Sequence, residues 1–270
     1  MMEEDIKIYL KYDIYIVGGY VRDKLLGLNM YDVDFSFVIT NQNESTQKCI
    51  DIYTGYKLMK EYLLDNNFDI CKEYQNTVTI KAKFPKTSKY NFITQQFDKP
   101  LIGDFVLARK EEYNRDTRIP FVSLGRLEDD LLRRDFTVNA MAFDLSIDKM
   151  DSTTVIDMFD GQKDLKNKIL RTPRVSYKTM YEDPLRILRA FRFNITKNFE
   201  FTEELEETFT NNMLLNRIFE IVSIEHIREE LYKMFKHSTS KSLHLLNKIN
   251  NPEFIDKLFE NIWLKPTLEN

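Results

Sequence analysis

Apolar and polar residues alternate through Thr77–Phe84, the period of a half-buried strand, and again through Leu101–Ala108 beyond a polar connection, Pro85–Pro100. Earlier in the chain, Asp13–Val17 reads as a short strand and Tyr20–Leu26 as a helix opened by the pair Gly18–Gly19. Asp32–Ile39 follows as a strand whose alternation runs into a continuous apolar stretch. Gly55–Asp65 carries helical spacing. Beyond Asp160 the strand signals give way, and the helical period governs Tyr181–Ile195, Glu203–Leu214, Ser223–Phe235 and Ser240–Ile249. The pattern predicts an α+β chain in which a mixed sheet with helices is followed by an all-helical part, with any hinge near Ser146–Gly161.

At 270 residues with 43% hydrophobic content the chain can build a real core. It contains no run of about 18 uncharged apolar residues, and MMEEDIKIYLKYD lacks the layout of a signal peptide, so a soluble intracellular protein with no membrane partner is expected. Cys49 and Cys71 are too few for a disulfide framework, and His226, His237 and His244 lack zinc spacing. A reducing compartment, such as the cytoplasm, and no structural metal follow. The net charge of −4 argues against a generic nucleic-acid coat but leaves room for local clusters such as RLEDDLLRRDF.

Four stretches carry candidate chemistry. In VGGYVRDKLLGLNMYDVDF the glycine pair sits at a strand-to-helix turn, where backbone can approach an anion, and Arg22 lies one turn into the helix. Asp32 and Asp34, at i and i+2, share a strand face; they are either a solvated pair or ligands of a hard cation that keeps its waters, as magnesium does. Asp104 is a third carboxylate inside an apolar strand, LIGDFVLAR, and needs a partner there. Three carboxylates around two cations suit in-line displacement at phosphorus, that is, nucleotidyl transfer. In DDLLRRDFTVNAMAFD, Arg133 and Arg134 offer forks for phosphate, while Asp135 and Asn139 offer acceptors and donors that could tell ribose from deoxyribose. In EDPLRILRAFRF, Leu185, Ile187, Leu188 and Phe191 form one stripe, which places Asp183 and Arg186 pointing away from the core, either as an ordinary ion pair or as a site.

Together and in this order, GGYVRDKLLG…DVD, GDFVLARKEEY, RRDFTVNAMAFD, FDGQKDL, EDPLRILRAFRF and IEHIREEL resemble the class II template-independent nucleotidyltransferases, the CCA-adding tRNA nucleotidyltransferases and the bacterial poly(A) polymerases, over about Tyr15 to Leu231. The resemblance implies a polymerase β-like nucleotidyltransferase head over 1–145, a helical neck with a base-reading helix over 146–220 and a truncated helical body over 221–270. It also implies two Mg2+ ions on Asp32 and Asp34 with Asp104 as the third acidic position. Gly18, Gly19, Arg22 and Arg134 would hold the triphosphate of CTP or ATP, Asp135 and Asn139 would meet triphosphate and ribose, and Arg189 would join the nucleotide-binding set. Asp183 and Arg186 would act as a protein template: cytosine and adenine both present an exocyclic amine beside a ring-nitrogen acceptor, while guanine and uracil place a carbonyl where that amine would be.

The activity implied is addition of CCA to tRNA 3′ ends. Ala108–Pro120 resembles the flexible loop that CCA-adding members use in switching to ATP, and no basic GRRFRLxHV-like element of the poly(A) polymerases is found. A-only, CC-only or oligo(A) addition is the alternative, and an inactive RNA-binding module the second. Gln162 stands where a second glycine is frequent, which changes little because Asp160, Gly161, Asp164 and Leu165 remain; little chain follows IREEL, so tRNA is expected to be held by its acceptor stem and 3′ end, with few contacts to its distant features.

Overall fold

The computed structural model describes residues 10–28, 32–41, 50–86, 93, 100–113, 120–147 and 149–260. The chain divides into two compact units, one comprising 1–112, 121–134 and 138–162, the other 113–120, 135–137 and 163–270.

The first unit is built on a seven-stranded mixed sheet. Its strands are β1 (Leu10–Val17), β2 (Asp34–Asn41), β3 (Asp69–Tyr74), β4 (Thr79–Lys83), β5 (Ile102–Leu107), β8 (Met141–Asp144) and β9 (Val155–Asp157), in the spatial order β3-β4-β5-β2-β1-β8-β9. Between β5 and β8 lie β6 (Arg109–Glu112) and β7 (Phe121–Leu124), a separate antiparallel hairpin. Neighbours β2 and β5 run parallel; β1–β2 and β4–β5 are antiparallel.

Strand alternation gives the sheet two different faces. On one, Phe35 stacks on Phe105 with ring centroids 4.7 Å apart, and Phe68 and Phe84 close around them. Helix α1 (Gly19–Leu25) follows β1 directly, and α2 (Ile52–Asp65) follows β2. Gly55 lets α2 come close: a Cβ there would lie 3.0 Å from Leu107 and 3.2 Å from Leu124. On the other face Val17, Val38 and Ala108 pack with Leu127 and Leu131 of the short helix α3 (Leu127–Leu132).

Helix α4 (Gly161–Asn167) leads to α5 (Ser176–Glu182), α6 (Leu185–Lys197), α7 (Glu203–Glu207), α8 (Asn212–Ile221), α9 (Ile224–His237), α10 (Thr239–Lys248) and α11 (Pro252–Glu260). Phe191 meets Phe209 edge-on at 4.8 Å, and Phe136 meets Phe193 at 5.4 Å, inside the second unit. No helix among the described residues is long and apolar enough to cross a membrane.

The structure departs from the sequence pattern at several points. The helix expected over Tyr181–Ile195 is two helices. Asp183 is extended because the following Pro184 disfavours helical backbone before it, so α5 ends at Glu182 and α6 begins at Leu185. The helix expected over Glu203–Leu214 also breaks: Asn211 is extended and its side chain caps α8 by accepting from the Met213 and Leu214 amides. The second unit is not all-helical, since Ile169–Leu170 (β10) and Glu200–Phe201 (β11) form a short parallel ladder. Such two-residue strands are too brief to show an alternation. Within Ala108–Pro120, the segment that resembles the family's flexible loop, Arg109–Glu112 forms the paired strand β6, whose charged RKEE sequence hides its pairing; residues 114–119 lie outside the described residues.

Candidate active site

In the first unit, three side chains stand in register across adjacent strands: Lys81 of β4 opposite Asp104 of β5, and Asp104 opposite Asp34 of β2. Cross-strand partners share a sheet face, so the three side chains form one row across it. Lys81 Nζ lies 3.2 Å from Asp104 Oδ2. Hydrogen bonding and charge from Asp104 raise the Lys81 pKa. Asp32 precedes β2 and, with Asp34, alternates with buried Val33 and Phe35, as the i, i+2 spacing implied. Asp34 reaches solvent, yet surrounding protein strips enough water from its carboxyl to push its pKa up. The Arg134 guanidinium opposes this shift, and Asp104, Asp32 and Asp130 add to it. The Asp104 Oδ1 atom is buried and makes no hydrogen bond.

Beside this row lies the glycine turn. Gly18 has φ 74°, a region open to glycine, and a Cβ there would sit 2.7 Å from Arg134 Nη1 and 3.9 Å from Asp34 Oδ2. Its N–H donates to the Met141 carbonyl at 3.3 Å, so at Gly18 the pair supplies space for a guanidinium and not a donor to an anion. A Cβ on Gly19 would lie 3.4 Å from Arg22 Nη2. Buried Arg22 forks onto Asp23 at 2.8 and 2.7 Å and also donates from Nη1 to Asn139 Oδ1.

Arg133 and Arg134 are both held by Asp130, a fully buried carboxylate on α3. Burial alone would raise its pKa, but the two guanidiniums hold it down at about 2. Arg133 also lies 3.4 Å from Glu111 of β6, which Arg109 holds at 2.8 Å. Asp130, Glu111 and Lys81 are absent from the sequence-derived set. Asp130 had a local signal, since Arg133 and Arg134 follow it at i+3 and i+4 on a helix. Lys81 reaches Asp104 across paired strands, and Glu111 reaches Arg133 at the end of α3, so neither of these long-range contacts has a local trace.

Within the second unit, Asp183 Oδ1 accepts from the Leu185 amide at 3.3 Å, and Arg186 Nη1 donates to the Thr179 carbonyl at 3.3 Å. Arg186 is buried, so it does not point away from the core as the stripe implied; α5 supplies a second covering that a single-helix pattern does not reveal. Asp135 accepts from the Phe136 amide through Oδ1 and from Arg189 through Oδ2 at 3.0 Å from Nε. Asp135, first among the causes, raises the Arg189 pKa further. Glu230 of α9 holds Arg192 at 2.6 Å and lies 3.9 Å from Arg189.

Among the described residues no three His, Cys, Asp or Glu side chains are grouped closely enough to hold a metal ion by themselves. The donors at Asp32, Asp34 and Asp104 are instead an open set of hard oxygens, one of them buried without a partner, which fits a cation that keeps several waters and shares substrate oxygens. Guanidiniums alongside suit a polyanion. The two kinds of group together match a metal-bound triphosphate.

The family model described as poly A polymerase head domain matches residues 14–171. The "tRNA nucleotidyltransferase cca2" of Schizosaccharomyces pombe is 34% identical over 90% of this chain and 47% of its own length. The "A-adding tRNA nucleotidyltransferase" of Aquifex aeolicus is 35% identical over 72% of this chain and 19% of its own. The Bacillus stearothermophilus CCA-adding enzyme, solved in complex with CTP, aligns with a TM-score of 0.63 and 26% identity over 87% of this chain and 47% of that one. The chain thus spans about half or less of the length of these relatives.

Proposed function

We propose, because the chain belongs to the poly A polymerase head domain family, that it adds CCA to tRNA 3′ ends from CTP and ATP without a nucleic-acid template. The observation that carries this reading is the row Asp34–Asp104 beside Arg134, with Asp32 adding its charge: carboxylates for a divalent ion next to a guanidinium for phosphate. Asp32 and Asp34 would hold Mg2+, with Asp104 at their side. When bound, the ions neutralise charge developing at the α-phosphorus and activate the attacking hydroxyl.

The chain's own residues do the rest. Arg134 is fixed by Asp130 on one side and admitted over the turn by Gly18 on the other. Its buried Nε makes no hydrogen bond, which leaves a donor for a phosphate oxygen. Arg22, aligned by Asp23, would bind the same polyanion and orient Asn139 toward the ribose. Asp135 would share that task, held by Arg189. In the second unit Arg186, anchored on the Thr179 carbonyl, would donate to the ring nitrogen of cytosine or adenine, and Asp183 would accept from the exocyclic amine. The compartment is an intracellular, reducing one, in keeping with the exposed free thiol of Cys71.

A tRNA lacking its 3′ CCA, incubated with the protein, Mg2+ and labelled CTP and ATP, should gain C, C and A in order. A product ending after one added A on a CC-ended tRNA, with CTP never used, would favour the A-only alternative, which the Aquifex aeolicus relative's name raises. Asp34→Ala, still folded by circular dichroism, should lose addition by several orders of magnitude. Wild-type rates in that variant would remove the carboxylates from the chemistry.

A further inference from the structure

Lys81 has no role in the site as read so far, yet it stands in the same cross-strand row as Asp104 and Asp34. Its ammonium is 3.2 Å from Asp104 Oδ2, and the side chain is 40% exposed, so it can leave for solvent without dragging other packing with it. Carboxylates opposite one another on paired strands repel. Arg134 approaches Asp34 from the glycine turn, but Asp130 already claims that guanidinium. On the Asp104 side, Lys81 supplies the compensating charge.

We infer that Lys81 is a built-in counter-cation of the metal-free site: it neutralises Asp104 until a divalent ion arrives and competes with that ion for the carboxylates, thereby setting the site's metal affinity. This rests on the reading of Asp34 and Asp104 as a cation site. Lys81 acts through Asp104 and is a positioning residue, not a catalytic one. An ion carrying two positive charges gains from the same oxygens that Lys81 holds, and each unit of charge left within several ångströms of it weakens binding. At an effective dielectric constant intermediate between protein and water, with the flexible ammonium able to withdraw, that repulsion corresponds to about a tenfold change in affinity.

Isothermal titration of Mg2+ alone into the nucleotide-free protein tests this on wild type, Lys81→Met, Lys81→Arg and Asp34→Ala. Lys81→Met should bind Mg2+ about tenfold more tightly than wild type, and Lys81→Arg within about threefold of it. Thermal melting adds a second readout: Lys81→Met should melt lower than wild type in EDTA, and the gap should close in saturating Mg2+. Equal or weaker Mg2+ binding by Lys81→Met, with wild type binding normally and Asp34→Ala not, overturns the role of Lys81 and spares the cation site. Failure of wild type to bind Mg2+ more tightly than Asp34→Ala overturns both. Should Lys81→Met fold poorly, Lys81→Gln carries the same charge change with a polar head and the same expected tightening.

Discussion

Gly18 and Arg134 are fitted to each other: a Cβ at Gly18 would come within 2.7 Å of the Arg134 Nη1 atom, on a backbone with φ 74° that side chains rarely adopt. Gly18→Ala therefore combines strain of roughly 1–3 kcal/mol with displacement of the guanidinium assigned to the triphosphate. Gly27 is a control, since its φ is 69° with nothing within 4 Å of a Cβ, so Gly27→Ala carries the strain alone. Gly18→Ala should raise the KM for both CTP and ATP by at least about tenfold beyond any change in Gly27→Ala. Equal KM values in the two variants would show that Arg134 is not positioned by this turn.

Asp130 links the site to stability. Its folded-state pKa of about 2 lies below the ordinary value of 3.8, so its ion pairs with Arg133 and Arg134 stabilise the fold above about pH 4. That contribution, roughly 2 kcal/mol, is lost as pH falls from about 4 toward 2. Asp130→Asn should lower the urea midpoint at pH 7, and its deficit against wild type should shrink across that acid window. A deficit independent of pH would assign the loss to packing instead of charge. Arg134 loses its ion-pair anchor in this variant, whereas Arg133 keeps Glu111, so the KM for nucleotides should rise as well.

Much of this site is legible in the sequence because its parts are local. Asp32 and Asp34 stand out against Val33 and Phe35 by a two-residue period, and the stripe Leu185, Ile187, Leu188 and Phe191 is buried as its spacing requires. The cross-strand and cross-helix relations are not local. Lys81 meets Asp104 only once β4 pairs with β5, Glu111 meets Arg133 only once β6 lies by α3, and Arg189 finds Asp135 far back along the chain. Periodicity reports which face of an element is apolar, not how many neighbours cover it. For that reason Arg186, opposite the stripe, is read as exposed until α5 is seen to supply the Thr179 carbonyl.

Sugar choice should reside in Asn139 and Asp135. The Asn139 carbonyl oxygen accepts from Arg22, which fixes the orientation of the amide. Asn139→Ala should narrow the gap in kcat/KM between ATP and dATP, with some loss of ATP binding from the disturbed Arg22. Asp135→Ala should act in the same direction and also release Arg189. Should the ATP/dATP ratio stay at its wild-type value in both variants, ribose recognition lies elsewhere.

The base-reading pair can be separated from a merely structural one by what its loss does to specificity. Asp183 accepts from the Leu185 amide and lies at the break between α5 and α6, so removing its side chain loses that hydrogen bond and carries a cost of about 1 kcal/mol in stability. A structural role would end there, with nucleotide preference intact. If Asp183 also accepts from the exocyclic amine of cytosine or adenine while Arg186 donates to the ring nitrogen, each charge-assisted hydrogen bond is worth roughly 1.5–3 kcal/mol. Removing either should shift preference among the four nucleotides by about one to two orders of magnitude. The metal chemistry, proposed here for Asp32 and Asp34, should survive, so Asp183→Ala and Arg186→Ala should misincorporate UTP and GTP instead of falling silent. Single-nucleotide addition measured with each of the four nucleotides, on variants first shown to be folded, decides the matter. Unaltered selection of CTP and ATP by both variants would leave Asp183 as an acceptor for the Leu185 amide and Arg186 as a buried anchor on Thr179, with the base read by other groups.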